Sequence, residues 1–204
     1  NAAWHNVTQI GIQELTIAAN DKVSLNAAEL IFGTVTKKGV KRISDVKVAE
    51  AAALFAAAKR DVNMALDNEL AVFCEAASLD YAETVKLTEN GACSTSSTPT
   101  ISEEANRDEV YLLLENAENL NTKLRVPMLA RQVNEDMTRH AINLTQDALR
   151  TIGKTLRRSR VALLGAVEPG TAAATFVQLL ETKGAKVSRY DPSVSGIDQP
   201  EGQS

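Results

Sequence analysis

Hydrophobic positions recur at helical spacing over two long stretches of the chain. Between residues 44 and 78, Val48, Ala52, Phe55, Val62, Leu66, Leu70, Phe73 and Ala77 follow one another at steps of three, four or seven, which places them on one side of an α-helix. Ser44 suits the N-cap and Asp45 the positive end of the helix dipole. No Gly or Pro interrupts the stretch. At the α-helical rise it would be about 50 Å long. That is more than a small globule covers, so the spacing predicts partner helices, and the alanine clusters at 51–53 and 56–58 leave room for another backbone to approach. Between residues 127 and 152 a second stripe runs through Leu129, Val133, Met137, Ala141, Leu144, Ala148 and Ile152, opened by Pro127 and stopped by Gly153. The two stretches are expected to pack as long helices whose apolar faces continue across a twofold interface. Cys74 and His140, beside the stripes, read as packing residues.

The shorter elements are less regular. Residues 1–20 show no clean period. Leu25, Ala28, Ile31 and Phe32 predict a helix over 24–32, ended by Gly33. Lys37, Lys38, Lys41 and Arg42 around Gly39 suit an exposed turn or short strand over 34–43. The run Asn90-Gly-Ala-Cys-Ser-Thr-Ser-Ser-Thr-Pro99 is a loop, and residues 102–119 read as a helix with an acidic first turn. After Leu156 the pattern changes. Val161-Ala-Leu-Leu164 is a short apolar run typical of a buried parallel strand. A helix follows over 172–183 with Phe176, Leu179 and Leu180 inward, then a second strand over 186–190 before Asp191 and Pro192. Together these form one right-handed β-α-β unit. Two strands do not make a stable open sheet, so further chain is expected on their edges.

Composition narrows the function classes. Hydrophobic residues are 44% and charged residues 24% of 204, and the net charge is −4. These values fit a folded globular chain and lack the basic face of a nucleic-acid binder. With two cysteines and two histidines far apart in sequence, no four-ligand metal site is expected. No membrane span is expected either, and a reducing, cytoplasmic setting is. The start, Asn1-Ala2-Ala3-Trp4, reads as a processed or cut N-terminus. Cys93 has no Lys, Arg or His within several residues, so nothing adjacent activates it as a nucleophile. Gly165-x4-Gly170-Thr171 lacks the Lys of a phosphate loop. A strand–turn–helix still offers N–H groups to an anion, which Glu168 would repel; the plainer reading is a tight turn.

Three stretches together resemble the UDP-glucose/GDP-mannose dehydrogenase family of nucleotide-sugar dehydrogenases, with the UDP-N-acetylmannosamine branch nearest. They are Val46 to Glu75, including Lys59-Arg-Asp-Val-Asn-Met-Ala-Leu-Asp-Asn-Glu69; Val126-Pro-Met-Leu-Ala-Arg-Gln-Val-Asn-Glu-Asp-Met137; and Arg160-Val-Ala-Leu-Leu-Gly165 with Lys183-Gly-Ala-Lys-Val-Ser-Arg-Tyr-Asp-Pro192. The resemblance implies an N-terminal NAD-binding Rossmann domain, a helical dimerisation domain and a UDP-sugar domain. It implies oxidation of the sugar C6 to the acid through a cysteine thiohemiacetal and thioester. The expected fold is therefore mainly α: a connecting segment at 1–43, a long-helix dimerisation domain at 44–155, and a partial Rossmann-like β-α-β unit at 156–204. NAD is the cofactor implied by the family, but no strand is followed by G-x-G-x-x-G in this chain. The expected partners are a second copy, as a homodimer or higher homo-oligomer, and a nucleotide sugar, with no nucleic acid and no membrane.

Carried over position by position, the family's catalytic Lys falls on Ala53, its helical Asn on Ala57 and its nucleophilic Cys on Glu104, while its Asp falls on Asp108. Cys93 fits only if that loop is rebuilt. The family's Lys in the last domain falls near Glu168. Arg60 and Asn63 match substrate-side positions. Three functions stay open: a dehydrogenase-family chain, as a fragment or a subunit completed by another polypeptide and inactive by itself; a non-catalytic assembly protein of the same descent; or a nucleotide-sugar-binding module acting as a sensor.

Overall fold

In the computed structural model the described residues are 14–88, 99–101, 104–165, 167 and 171–190, with the side chains of 104–106 not described. By its internal contacts the chain divides into two units, 1–56 and 57–204.

The first unit holds a strand β1 (Leu15–Ala18), a helix α1 (Lys22–Gly33), a strand β2 (Val40–Ile43) and the beginning of α2 (Val46–Ala77). The strands pair in parallel, Leu15 opposite Val40 through Ala18 opposite Ile43. Asp21 starts α1: its Oδ1 accepts the Ser24 backbone N–H at 2.8 Å and its Oδ2 the Ser24 hydroxyl at 2.7 Å. These bonds to the charged form hold the Asp21 carboxyl below its ordinary pKa. Ile17, Leu25 and Thr36 are buried. Here the sequence reading needs correcting. No period was visible before residue 20, because β1 is only four residues, Leu-Thr-Ile-Ala, too few to establish alternation. Its partner is the stretch read as an exposed turn or short strand. At the start of α2, Asp45 rather than Ser44 takes the capping role, its Oδ1 accepting the Lys47 N–H at 2.9 Å.

In the second unit α2 continues, followed by α3 (Tyr81–Thr88), α4 (Glu104–Asn119), α5 (Arg125–Thr151), β3 (Arg160–Leu164), α6 (Ala172–Thr182) and β4 (Lys186–Tyr190). The helices α2, α4, α5 and α6 lie where the spacing predicted them; α3, at eight residues, was not read. The terminal β-α-β unit has the expected order and parallel pairing, with Val161 opposite Val187, but β3 is not the buried strand its apolar run suggested: none of its residues is buried and Leu164 is 79% exposed. Thr171 caps α6, its Oγ1 accepting the Ala174 N–H at 3.2 Å. Gly153 ends α5 at φ +71°, and the Lys154 N–H closes back on the Leu149 carbonyl at 2.9 Å. The apolar core of this end is Ile142, Leu156, Leu180 and Ala185, with Leu149, Val161, Phe176, Leu179 and Val187 packed on it.

The long helices leave much of their apolar stripes exposed within the single chain. The apolar stripe of α2 does not face the chain's own core: Val48, Phe55, Leu66, Leu70 and Phe73 are between 45% and 62% exposed. The buried residues of α2 are Ala57, Ala58, Asp61, Ala65, Asp67, Asn68, Ala71 and Cys74, which lie around the opposite side at helical spacing. On α5 the buried residues are Ala130, Arg131, Asn134, Thr138 and Ile142, again not the stripe through Leu129 and Leu144. Small and mutually bonded polar side chains form the intrachain contact. Among the described residues no helix is long and apolar enough to cross a membrane.

Candidate functional site

The site is built on facing residues of α2 and α5. Asp61 and Asn68 are seven apart on α2, and Arg131 and Asn134 three apart on α5, so each pair shares a helix side. The Arg131 guanidinium donates from Nη1 to Asp61 Oδ1 at 2.8 Å, with both side chains buried. Asn134 Nδ2 donates to Asp61 Oδ1 and to its backbone carbonyl, each at 3.0 Å. Asn68 Nδ2 donates in turn to Asn134 Oδ1 at 3.0 Å. Burial pushes the Asp61 carboxyl above the ordinary range; Arg131 and Asn134 pull it back, and Glu135 adds to the rise.

Arg131 and Asn134 also floor a cleft of about 330 Å³ between α4, α5 and the first turns of α6. Arg107, Glu135, Thr138 and Arg139 form its polar wall, and Ala172, Thr175 and Leu179 the wall on α6. Glu135 takes the Tyr111 hydroxyl at 2.6 Å and lies 3.8 Å from Arg107 Nε; Arg139 lies 3.1 Å from Asp136. Each of the three guanidinium groups lies against a carboxylate, Arg131 against Asp61, Arg107 against Glu135 and Arg139 against Asp136, so the local charge balances. An anion held here would share these guanidinium groups with their carboxylates. Among the described residues the cleft offers no side-chain nucleophile hydrogen-bonded to a base.

The sequence-derived site residues scatter around this cleft. Asp108 is exposed on α4, next to Arg107, which lines the cleft where Asp108 does not. Glu104 is the first residue of α4; its side chain, Cys93, Glu168, Asp191 and Pro192 lie outside the described residues. Arg60 is half exposed and lies 3.6 Å from Glu109. Asn63 borders a separate, more apolar groove of about 320 Å³ with Leu66, Leu70, Phe73 and Tyr81. Ala57 is fully buried and Ala53 exposed. Asp61, Asn68, Arg131 and Asn134 were not singled out from the sequence, although their seven- and three-residue spacings were visible in it.

The β1–α1 turn is the first strand-to-helix connection among the described residues, the kind of place where the dinucleotide that the family resemblance implies would sit. Ala19, Asn20 and Asp21 connect the strand to the helix, with no glycine for close backbone approach. The Asp21 carboxylate already accepts the Ser24 N–H at the helix N-terminus and would repel a diphosphate. These residues do not fit NAD.

No family model matches. A UDP-N-acetyl-D-mannosamine dehydrogenase of Pyrococcus horikoshii is 28% identical over 180 residues, 84% of this chain and 42% of that protein. A solved structure of UDP-D-ManNAc dehydrogenase from the same organism matches with a TM-score of 0.79 at 25% identity, over 95% of this chain and 48% of that one. The chain is a relative of the nucleotide-sugar dehydrogenases over part of their length. It spans less than half the length of these matches. A UDP-glucose dehydrogenase of Pyrobaculum islandicum shares the fold at 18% identity, with a TM-score of 0.72, over 91% of this chain and 44% of that one. The helical region and the β3-α6-β4 unit are thus those of the dehydrogenase fold.

Proposed function

We propose that this chain supplies the helical middle and the opening β-α-β unit of the following nucleotide-sugar-binding domain of a nucleotide-sugar dehydrogenase architecture, and does not carry out the oxidation by itself. The family reaction is NAD-dependent oxidation of a UDP-sugar to the uronic acid. The observation that carries the proposal is the 0.79 TM-score likeness over 95% of the chain, combined with the residues at the positions that do the chemistry. Ala53 and Ala57 offer no group to bond a developing alkoxide or its water, and Ala57 is fully buried. Glu104 cannot form a thiohemiacetal. The sugar nucleotide, a diphosphate, would meet Arg107 and Arg139 in the cleft. A second copy of the chain would cover Leu66, Leu70 and Phe73, the exposed side of α2.

The test is NADH absorbance with the purified chain in large excess over UDP-N-acetylmannosamine, UDP-glucose or GDP-mannose, each with NAD. No NADH is expected. Turnover abolished by Cys93→Ser would overturn the proposal and make Cys93 the nucleophile. Light scattering on the same sample checks the assembly: a folded monomer at high concentration removes the second copy.

A further inference from the structure

We propose that the buried carboxamide of Asn68 stands in for a strand partner of Thr100 and fixes where the chain enters α4. Asn68 is fully buried on α2. Its Oδ1 accepts the Thr100 backbone N–H at 2.9 Å, and its Nδ2 donates to the Thr100 carbonyl at 3.0 Å. A carboxamide carries the same acceptor and donor as a peptide group, so it satisfies both backbone groups of one residue at once, as a bridge partner does. The second Nδ2 hydrogen goes to Asn134 Oδ1. A flipped amide would set its N–H against the Thr100 N–H and its oxygen against two acceptors, so this network allows one orientation.

Asn134 relays the constraint to Asp61, and Asp61 to Arg131. Thr100 is thereby tied to the buried ion pair of α2 and α5 through a chain of polar bonds in which each member supports the next. Thr100 precedes by four residues the start of α4 at Glu104. That helix carries Arg107 in the cleft, and beside it Asp108 and Tyr111. Thr100 is itself exposed and lies in neither helix nor strand, and among the described residues Asn68 is the partner of its amide. The inference holds whatever reaction the chain serves.

Hydrogen exchange read residue by residue tests it. In the unaltered chain the Thr100 N–H is expected to exchange slowly; exchange at the rate of open backbone overturns the proposal without any variant. In Asn68→Ala the same amide is expected to exchange about tenfold faster, with the β3 and β4 amides unchanged. Asn134→Ala, which leaves both Asn68–Thr100 bonds in place but takes two hydrogen bonds from Asp61, is expected to give a smaller acceleration at Thr100 than Asn68→Ala. An unchanged Thr100 in Asn68→Ala, or an equal acceleration at Thr100 and in β3 and β4, shows that Asn68 does not position this segment.

Discussion

The second unit is held together in two different ways at its two ends. Between α2 and α5 run the buried hydrogen bonds of Asp61, Asn68, Arg131 and Asn134. Where α5 meets the β-α-β unit, the buried contact is Ile142, Leu156, Leu180 and Ala185. An apolar contact is tolerant: each side chain gains from leaving water whichever apolar neighbour it meets. A polar contact is exacting, because each buried donor or acceptor needs its own partner, and removing one strands the other. The first arrangement specifies how two helices meet, whereas the second supplies attraction with less geometric demand. Ile142 and Arg131 belong to the same helix, so α5 passes from one regime to the other within about three turns.

The largest effect expected from this contrast is at Asp61. Asp61→Leu leaves the Arg131 charge buried without its counter-charge, which costs about 3–5 kcal/mol. Adding Arg131→Met to the same chain should recover most of that, because the pair is then replaced rather than broken. Urea unfolding of the single and double variants measures this. A double variant as unstable as the single would mean that the seam is not organised around the pair.

Leu180→Ala probes the other regime. The side chain is fully buried, and its truncation is expected to remove about 2–5 kcal/mol. No polar group is stranded, so Leu180→Met, which conserves volume, should cost less than about 1.5 kcal/mol. If Leu180→Met proves as damaging as Leu180→Ala, this core demands shape as strictly as the seam demands partners, and the contrast fails.

The same contrast explains what the sequence disclosed. The β3-α6-β4 unit was legible because Val161-Ala-Leu-Leu164 is a run of apolar residues and Gly184 is a clear stop. The long helices were legible as helices, but not which side of each is buried. A helical period tells which residues share a side; it does not tell what that side faces. The buried side of α2 is composed of Ala, Asp and Asn, whose burial depends on partners some seventy positions away in Arg131 and Asn134. Hydrophobic spacing carries no trace of such pairs. β1 was lost for a simpler reason, its four-residue length. Of the candidate site, Asp108 and Glu104 came from the family resemblance, while Arg107, one position away from Asp108, lines the cleft. Spacing alone does not distinguish which of two adjacent helical residues turns toward a neighbour that lies elsewhere in the chain.

The smallest effect concerns a polar pair at the rim of the same helices, where water competes. The Tyr111 hydroxyl donates to Glu135 Oε1 at 2.6 Å, and Tyr111 is 41% exposed. That bond stabilises the neutral phenol, and partial burial and the Glu135 charge act in the same direction. Arg131 and Arg107 oppose them, so the net is a pKa above the ordinary value of 10.0. A raised folded pKa means that the bond's contribution to stability is complete below the ordinary tyrosine range and disappears as pH rises through the raised value. Replacing Glu135 by Ala removes both the acceptor and the charge, and the Tyr111 titration should move down. The tyrosinate absorbance difference between the chain and its Tyr111→Phe variant isolates this one phenol from Tyr81 and Tyr190; the same difference measured in a Glu135→Ala background gives the shift. Stability near neutral pH should change little, because an exposed polar pair exchanges one set of water bonds for another. A large stability loss in Glu135→Ala would place this rim pair in the same class as Asp61 and Arg131, and the distinction between buried seam and exposed rim would then have to be redrawn. An unmoved Tyr111 titration would show instead that the bond is not kept in solution.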